Sequence, residues 1–141
     1  MNIRVNILDK NENVFKEIDA LFDTGAHTCA IDTQVFINLG YTLKESVKSY
    51  ISTATQTREN VNRVVIDKIK LDDTELNSVL FNTFEFPNTS YPVIIGMNVI
   101  RHFKVLMDFK EELIEMYENY TETDDNYYNV NIFGDWRVDN Q

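Results

Sequence analysis

Ala20-Leu21-Phe22-Asp23-Thr24-Gly25-Ala26 ends an apolar run on a carboxylate and turns the chain immediately behind it. A carboxylate at the end of a buried strand is costly to ionise alone. The residues that follow answer that cost with a tight turn, which supplies backbone N–H donors and a hydroxyl, and this points to a site built to control protonation. Asp-Thr-Gly occurs once in the 141 residues, and a second apolar run closing on glycine, Val93-Ile94-Ile95-Gly96, follows later in the chain.

Working outward, Ile3, Val5 and Ile7 alternate with polar residues, and Asp9-Lys10-Asn11-Glu12-Asn13 has the chemistry of a turn. Residues 14–22 resume an extended pattern, so a hairpin is expected to lead into the Asp-Thr-Gly turn. Thr28-Cys29-Ala30-Ile31 reads as a short strand. Asp32 then caps a helix over 33–39, with Val35, Phe36 and Leu39 on one face and Gly40 as its stop. Residues 46–53 and 61–71 read as strand-like arms about a polar connection at 55–60, which predicts a projecting hairpin. A further strand over 75–86 stops at Pro87. The unbroken apolar character of 91–95 predicts a buried strand, 97–102 a helical turn, and 103–109 and 113–117 extended segments. No internal repeat is present.

The length fits one domain with a core that needs no disulfide staples. The lone cysteine, Cys29, excludes an intramolecular disulfide and a cysteine-rich zinc site, and suits a reducing compartment. The alternating N-terminus shows neither a signal peptide nor a membrane span, so a cytoplasmic location is expected, with no membrane partner. The net charge of −10 is uneven: residues 1–110 carry 14 acids against 12 bases, whereas 111–141 carry 9 acids against Arg137 alone. A nearly neutral body without a basic stripe argues against nucleic acid as a partner. Tyr127, Tyr128, Phe133 and Trp136 make the acidic 118–141 extension too apolar for a purely disordered tail, and part of it is expected to dock.

The order of strand, Asp-Thr-Gly turn, helix, hairpin and Val93-Ile94-Ile95-Gly96-Met97-Asn98-Val99-Ile100 resembles the retroviral-type (retropepsin-like) aspartic proteases, especially their bacterial, cellular and retrotransposon-like branches. The resemblance covers about residues 3–117, read as the protease domain 1–117 followed by the extension 118–141. It implies a mainly β fold, a closed acid-protease barrel with one or two short helices, assembled as a homodimer with a flap from each subunit. Asp23, Thr24 and Gly25 are then the catalytic turn. Water attack on a peptide needs one carboxyl to take a proton and another to give one, so a chain with a single Asp-Thr-Gly finds its second Asp23 in an identical chain. By resemblance, Thr24 interlocks with the partner's turn and Gly25 lets the backbone approach a peptide substrate. Ala26, His27, Ile95 and the flap residues Thr53, Ala54 and Thr55 would contact that substrate. No metal or cofactor is required.

Two departures place the chain nearer the cellular branch than the viral one. Viral members usually carry an acidic residue two places after the turn glycine and an arginine after the second glycine, where this chain has His27 and Met97. Both halves of that ion pair are missing, which is coherent, because either alone would be a costly buried charge. The flap segment also lacks glycine.

Other readings of single residues are bland. On an extended strand His27 and Cys29 would share a face, with Asp23 back in the turn, so they read as core or pocket wall and not as a nucleophile pair. Two scattered histidines do not make a zinc site, and the acids of the extension lack the spacing of a calcium loop. Two functional classes remain: a dimeric aspartic endopeptidase, and a non-catalytic module that keeps the fold and dimer for binding. The retained Asp23 favours the enzyme, because a module would have no evident need for a carboxylate that repels its symmetry mate.

Overall fold

In a computed structural model the described residues are 1–52, 58–88 and 90–118. Thr53, Ala54 and Thr55, and the extension beyond residue 118, lie outside them. The chain divides after Val99 into two compact units, Met1–Val99 and Ile100–Gln141.

The first unit is a closed β-barrel. Strands β1 (Asn2–Asp9) and β2 (Val14–Phe22) form the expected antiparallel hairpin, Asn2 opposite Leu21 through Asp9 opposite Val14. Its turn is held by Asp9, whose Oδ1 accepts the N–H groups of Asn11 (2.8 Å) and Glu12 (3.0 Å), with Asn13 at φ 58°. Strand β3 (Cys29–Asp32) is followed by helix α1 (Thr33–Asn38). The Asp32 carboxylate caps that helix by accepting from Val35 N–H, while its other oxygen holds Phe86 N–H at 2.9 Å. Gly40 ends the helical segment at φ 92°, where a Cβ would stand 2.8 Å from the Asn11 side chain. A single 3-10 turn, Leu43–Glu45, was not anticipated from the sequence.

Strands β4 (Val47–Ser52) and β5 (Arg58–Leu71) are antiparallel, Val47 opposite Arg63 and Ser52 opposite Arg58. The second arm therefore starts at Arg58, three residues earlier than the polar composition of 55–60 suggests. Ladder pairing has overridden local polarity. Strands β6 (Thr74–Phe84) and β7 (Val93–Ile95) complete the barrel. The paired part of β7 is shorter than the 91–95 expectation, and Tyr91 is exposed. Pro92 has no N–H to extend the ladder, although its carbonyl accepts from Asp32 N–H.

The strand order is β1-β2-β7-β3-β6-β5, closed by β5 on β1 through Ile7 opposite Ile69, with β4 continuing beyond β5. Closure removes the free edges an open sheet would leave on these six strands. Val5, Ile7, Ala20, Phe22, Ile31, Val64, Ile66, Phe81, Val93 and Ile95 face inward and are buried. Each large side chain in that set contributes roughly 1.5–3 kcal/mol on burial. Phe36 and Leu39 bury the α1 face as the 3.6-residue period requires.

Helix α2 (Met97–Ile100) spans the boundary between the units. In the second unit β8 (Phe103–Asp108) pairs antiparallel with β9 (Leu113–Glu118), about a turn in which Asp108 Oδ1 accepts from Lys110 and Glu111 N–H. Among the described residues no helix is long and apolar enough to cross a membrane.

Candidate active site

The end of β2 is fixed from both sides. β1 pairs with it antiparallel and β7 parallel, Ala20 opposite Val93, Leu21 opposite Ile94 and Phe22 opposite Ile95. Asp23 is the first residue past that register, and its N–H donates to Ile95 carbonyl at 3.0 Å. The chain then doubles back, with Ala26 N–H donating to Asp23 carbonyl at 3.2 Å. This turn brings Gly25 N–H onto Asp23 Oδ1 at 2.9 Å. Gly25 N–H is the one donor to the carboxylate among the described residues, so one oxygen is anchored and the other is open. A Cβ at position 25 would lie 3.2 Å from Asp23 Oδ1, so glycine here keeps the carboxylate undisturbed as well as leaving room above it. Thr24 is exposed.

The two motifs seen in the sequence lock together. Met97 N–H donates to Ala26 carbonyl (2.7 Å) and Asn98 N–H to His27 carbonyl (3.0 Å), so the segment after Gly96 runs against the segment after Gly25. A Cβ on Gly96 would come within 2.8 Å of Ala26 and Thr28 backbone atoms. No side chain fits there. Asn98 Oδ1 accepts Cys29 N–H at 2.8 Å, and Asn98 Nδ2 donates to Leu80 carbonyl at 2.9 Å. The Asn98 bridge was not anticipated, although an amide two places after a strand-ending glycine is a polar residue that needs a reason to sit there.

His27 lies in a bend before β3, not on an extended strand with Cys29. It is exposed, whereas Cys29 is fully buried, so the two do not present a common face. Burial pushes the Cys29 thiol up to about 12, against the smaller opposing effect of Gly96 N–H donating to its sulfur at 3.3 Å. A thiol held protonated in the core is no nucleophile. Among the described residues no group of three or more His, Cys, Asp or Glu side chains is placed to hold a metal ion.

Beside the turn is a cavity of about 450 Å³, a size that suits a small ligand or a peptide side chain. Gly25, Ala26, His27 and Thr28 line one side. The remainder comes from Ala30, Ile94, Tyr50, Ile51, Arg63, Asn82 and Phe84. Ile95, expected at the substrate, is fully buried in the core, and its neighbour Ile94 lines the cavity instead. Period-two alternation on a strand moves the contact by one residue. Phe84 is backed by Phe86 at 4.7 Å between ring centres, and Phe86 is held in turn by Asp32. Arg63, Asn82 and Phe84 come from strands remote in sequence from the turn: the β3–β6 register, Ala30 opposite Asn82, brings Asn82 and Phe84 here, and the β5–β6 register, Arg63 opposite Asn82, adds Arg63.

A family model described as aspartyl protease matches residues 3–99. The chain belongs to the aspartyl protease family. Its fold is retropepsin-like: it is similar to a retropepsin-like aspartic protease from Rickettsia conorii, with a TM-score of 0.59 at 16% identity over 82% of this chain and 80% of that one. It is also similar to the retroviral protease-like domain of Ddi1 from Leishmania major, with a TM-score of 0.56 at 14% identity over 89% of this chain and 96% of that one. Among curated proteins none matches this chain in sequence. In this member of the family, the crossing of the Asp23 turn and the Gly96 segment lies within the matched region.

Proposed function

We propose that the protein is a homodimeric aspartic endopeptidase in which the Asp23 carboxyls of two subunits hold one water between them. The observation that carries this reading is the half-anchored carboxylate: Gly25 N–H holds Asp23 Oδ1, and the residues that follow Asp23 in the same turn, Gly25 to Thr28, line a cavity that suits a peptide side chain. Membership of the aspartyl protease family supports the same assignment.

Two carboxyls facing each other across a two-fold axis cannot both ionise cheaply, so they share a proton, as aspartic-protease dyads do generally. The ionised member takes a proton from water as the oxygen attacks the peptide carbonyl carbon. The protonated member gives its proton to the carbonyl oxygen. Collapse of the tetrahedral intermediate breaks the C–N bond, and a carboxyl returns a proton to the leaving nitrogen. Thr24, exposed in the single chain, would bond across the axis to the partner's turn and keep the two carboxyls coplanar.

The decisive experiment is Asp23→Asn assayed against a proteome-derived peptide mixture. The variant is expected to keep the wild-type circular dichroism and sedimentation while losing cleavage. Wild-type cleavage by the variant, or an active monomer in sedimentation at working concentration, would sink this reading.

A further inference from the structure

We propose that the cavity beside the Asp23 turn selects peptides bearing an acidic side chain close to the scissile bond, with Arg63 as the residue that recognises it. The inference rests on the peptidase reading and adds its substrate class. Of the side chains lining the cavity, Ala30, Ile51, Phe84 and Ile94 are apolar, His27 and Arg63 are basic, and none is a carboxylate. That is not a reflection of composition, because the chain carries 23 acids against 13 Lys and Arg.

Arg63 has the character of a recognition residue. It projects from β5 opposite Asn82 and Val47, and none of the salt bridges among the described residues involves it. Arg4, Lys10 and Lys16 each face a carboxylate within 4 Å; Arg63 shares the lack of an ion pair with Lys48, Lys68 and Lys70, but of these it alone lines the cavity. Without an ion pair among the described residues, its exposed guanidinium offers a planar fork of donors matched to a carboxylate.

Asn82 supplies an independent observation. It is 7% exposed, it lines the same cavity, and its Oδ1 is buried without a hydrogen-bond partner. Buried amide oxygens are rarely left unsatisfied, and this one, closed off from solvent in the free protein, would gain a donor if the Asn82 amide turned toward a ligand in the cavity. A peptide provides both complements at once: a side-chain carboxylate for Arg63 and a backbone N–H for Asn82. In a two-fold dimer the cavity occurs twice, so acidic residues on both sides of the cleaved bond would be favoured over one.

The test uses the full-length Asp23→Asn protein and a blocked peptide library in which each position in turn is fixed as Glu, Gln or Lys, with captured peptides quantified by mass spectrometry. Glu is expected to exceed its neutral isostere Gln by about tenfold at one or two positions, as a charge-assisted pair warrants. Adding Arg63→Gln should bring that ratio to unity, and adding Arg63→Glu should turn the preference toward Lys. A purely structural role for Arg63 would not invert a preference. Equal capture of Glu and Gln peptides, no capture at all, or a Glu preference that survives Arg63→Gln overturns the proposal. Cleavage by the wild type is scored separately: Glu peptides that are captured but never cut would overturn the peptidase reading and leave the recognition standing.

Discussion

Asn98 Oδ1 accepts the backbone N–H of Cys29 at 2.8 Å across 69 positions of sequence, and the same amide donates to Leu80 carbonyl. One side chain thus ties the segment after Gly96 to the start of β3 and to β6, the strand that carries Asn82 and Phe84 into the cavity. Asn98→Leu removes both bonds and strands a part-buried N–H, a loss of about 1–3 kcal/mol. Urea denaturation should read that loss in the midpoint at unchanged m-value. Asn98→Asp keeps an acceptor and should retain more stability than Asn98→Leu.

Gly96→Ala should be more damaging than its one added carbon suggests. The new Cβ would meet Thr28 and Ala26 backbone atoms at 2.7–2.8 Å, and backbone crossed by two other bonds cannot move aside freely. A cost of at least about 1–3 kcal/mol is expected, the range for overpacking. Gly25→Ala makes the contrast. Its Cβ meets only Asp23 Oδ1, at 3.2 Å, so peptide cleavage should suffer while the melting temperature changes little. Equal melting temperatures for the Gly96→Ala protein and the wild type would contradict the tight crossing of the two segments.

Two buried groups make stability fall in alkali. Cys29 is raised from 9.0 to about 12, chiefly by burial. Tyr41 is raised from 10.0 to about 12 by burial first and then by the charge of Asp67. Both keep their protons longer folded than unfolded, so their contribution is complete below about pH 9 and is lost as the pH rises from there toward 12. Equilibrium unfolding at neutral pH and at about pH 10.5 should show the decline, and Cys29→Ala should flatten its lower part. For the same reason the native thiol should resist alkylation until the chain unfolds. Rapid labelling of native protein would refute the buried placement.

Mixing wild type with excess Asp23→Asn protein tests the shared site. If each site needs an Asp23 from both chains, exchange into mixed dimers makes activity follow the square of the wild-type fraction, and dilution lowers specific activity as dimers separate. A linear dependence on the wild-type fraction would mean that one chain suffices.

The Asp-Thr-Gly turn, the hairpin before it, the Asp32-capped helix and the apolar run ending in Gly96 were all legible in the sequence, because each rests on local rules: alternation, capping, and glycine where a Cβ has no room. Those rules, together with the family resemblance of the motifs, sufficed for the barrel. They did not specify the wall of the site. Ile94 and not Ile95 lines the cavity because a strand presents alternate residues to opposite faces, and which face meets the cavity is set by pairing with β2 and β3. Arg63 and Asn82 fall in the strands expected over 61–71 and 75–86, and nothing in the local sequence marks either as part of a site. Only the β5–β6 register sets them side by side, and only the β3–β6 register, Asn82 opposite Ala30, sets that pair beside the segment that follows the Asp23 turn. The chemistry of the turn is local and the sequence carries it. The selectivity of the cavity is a property of long-range register, whose energy comes from burying Val64, Ile66 and Phe81 on the other face of the same strands.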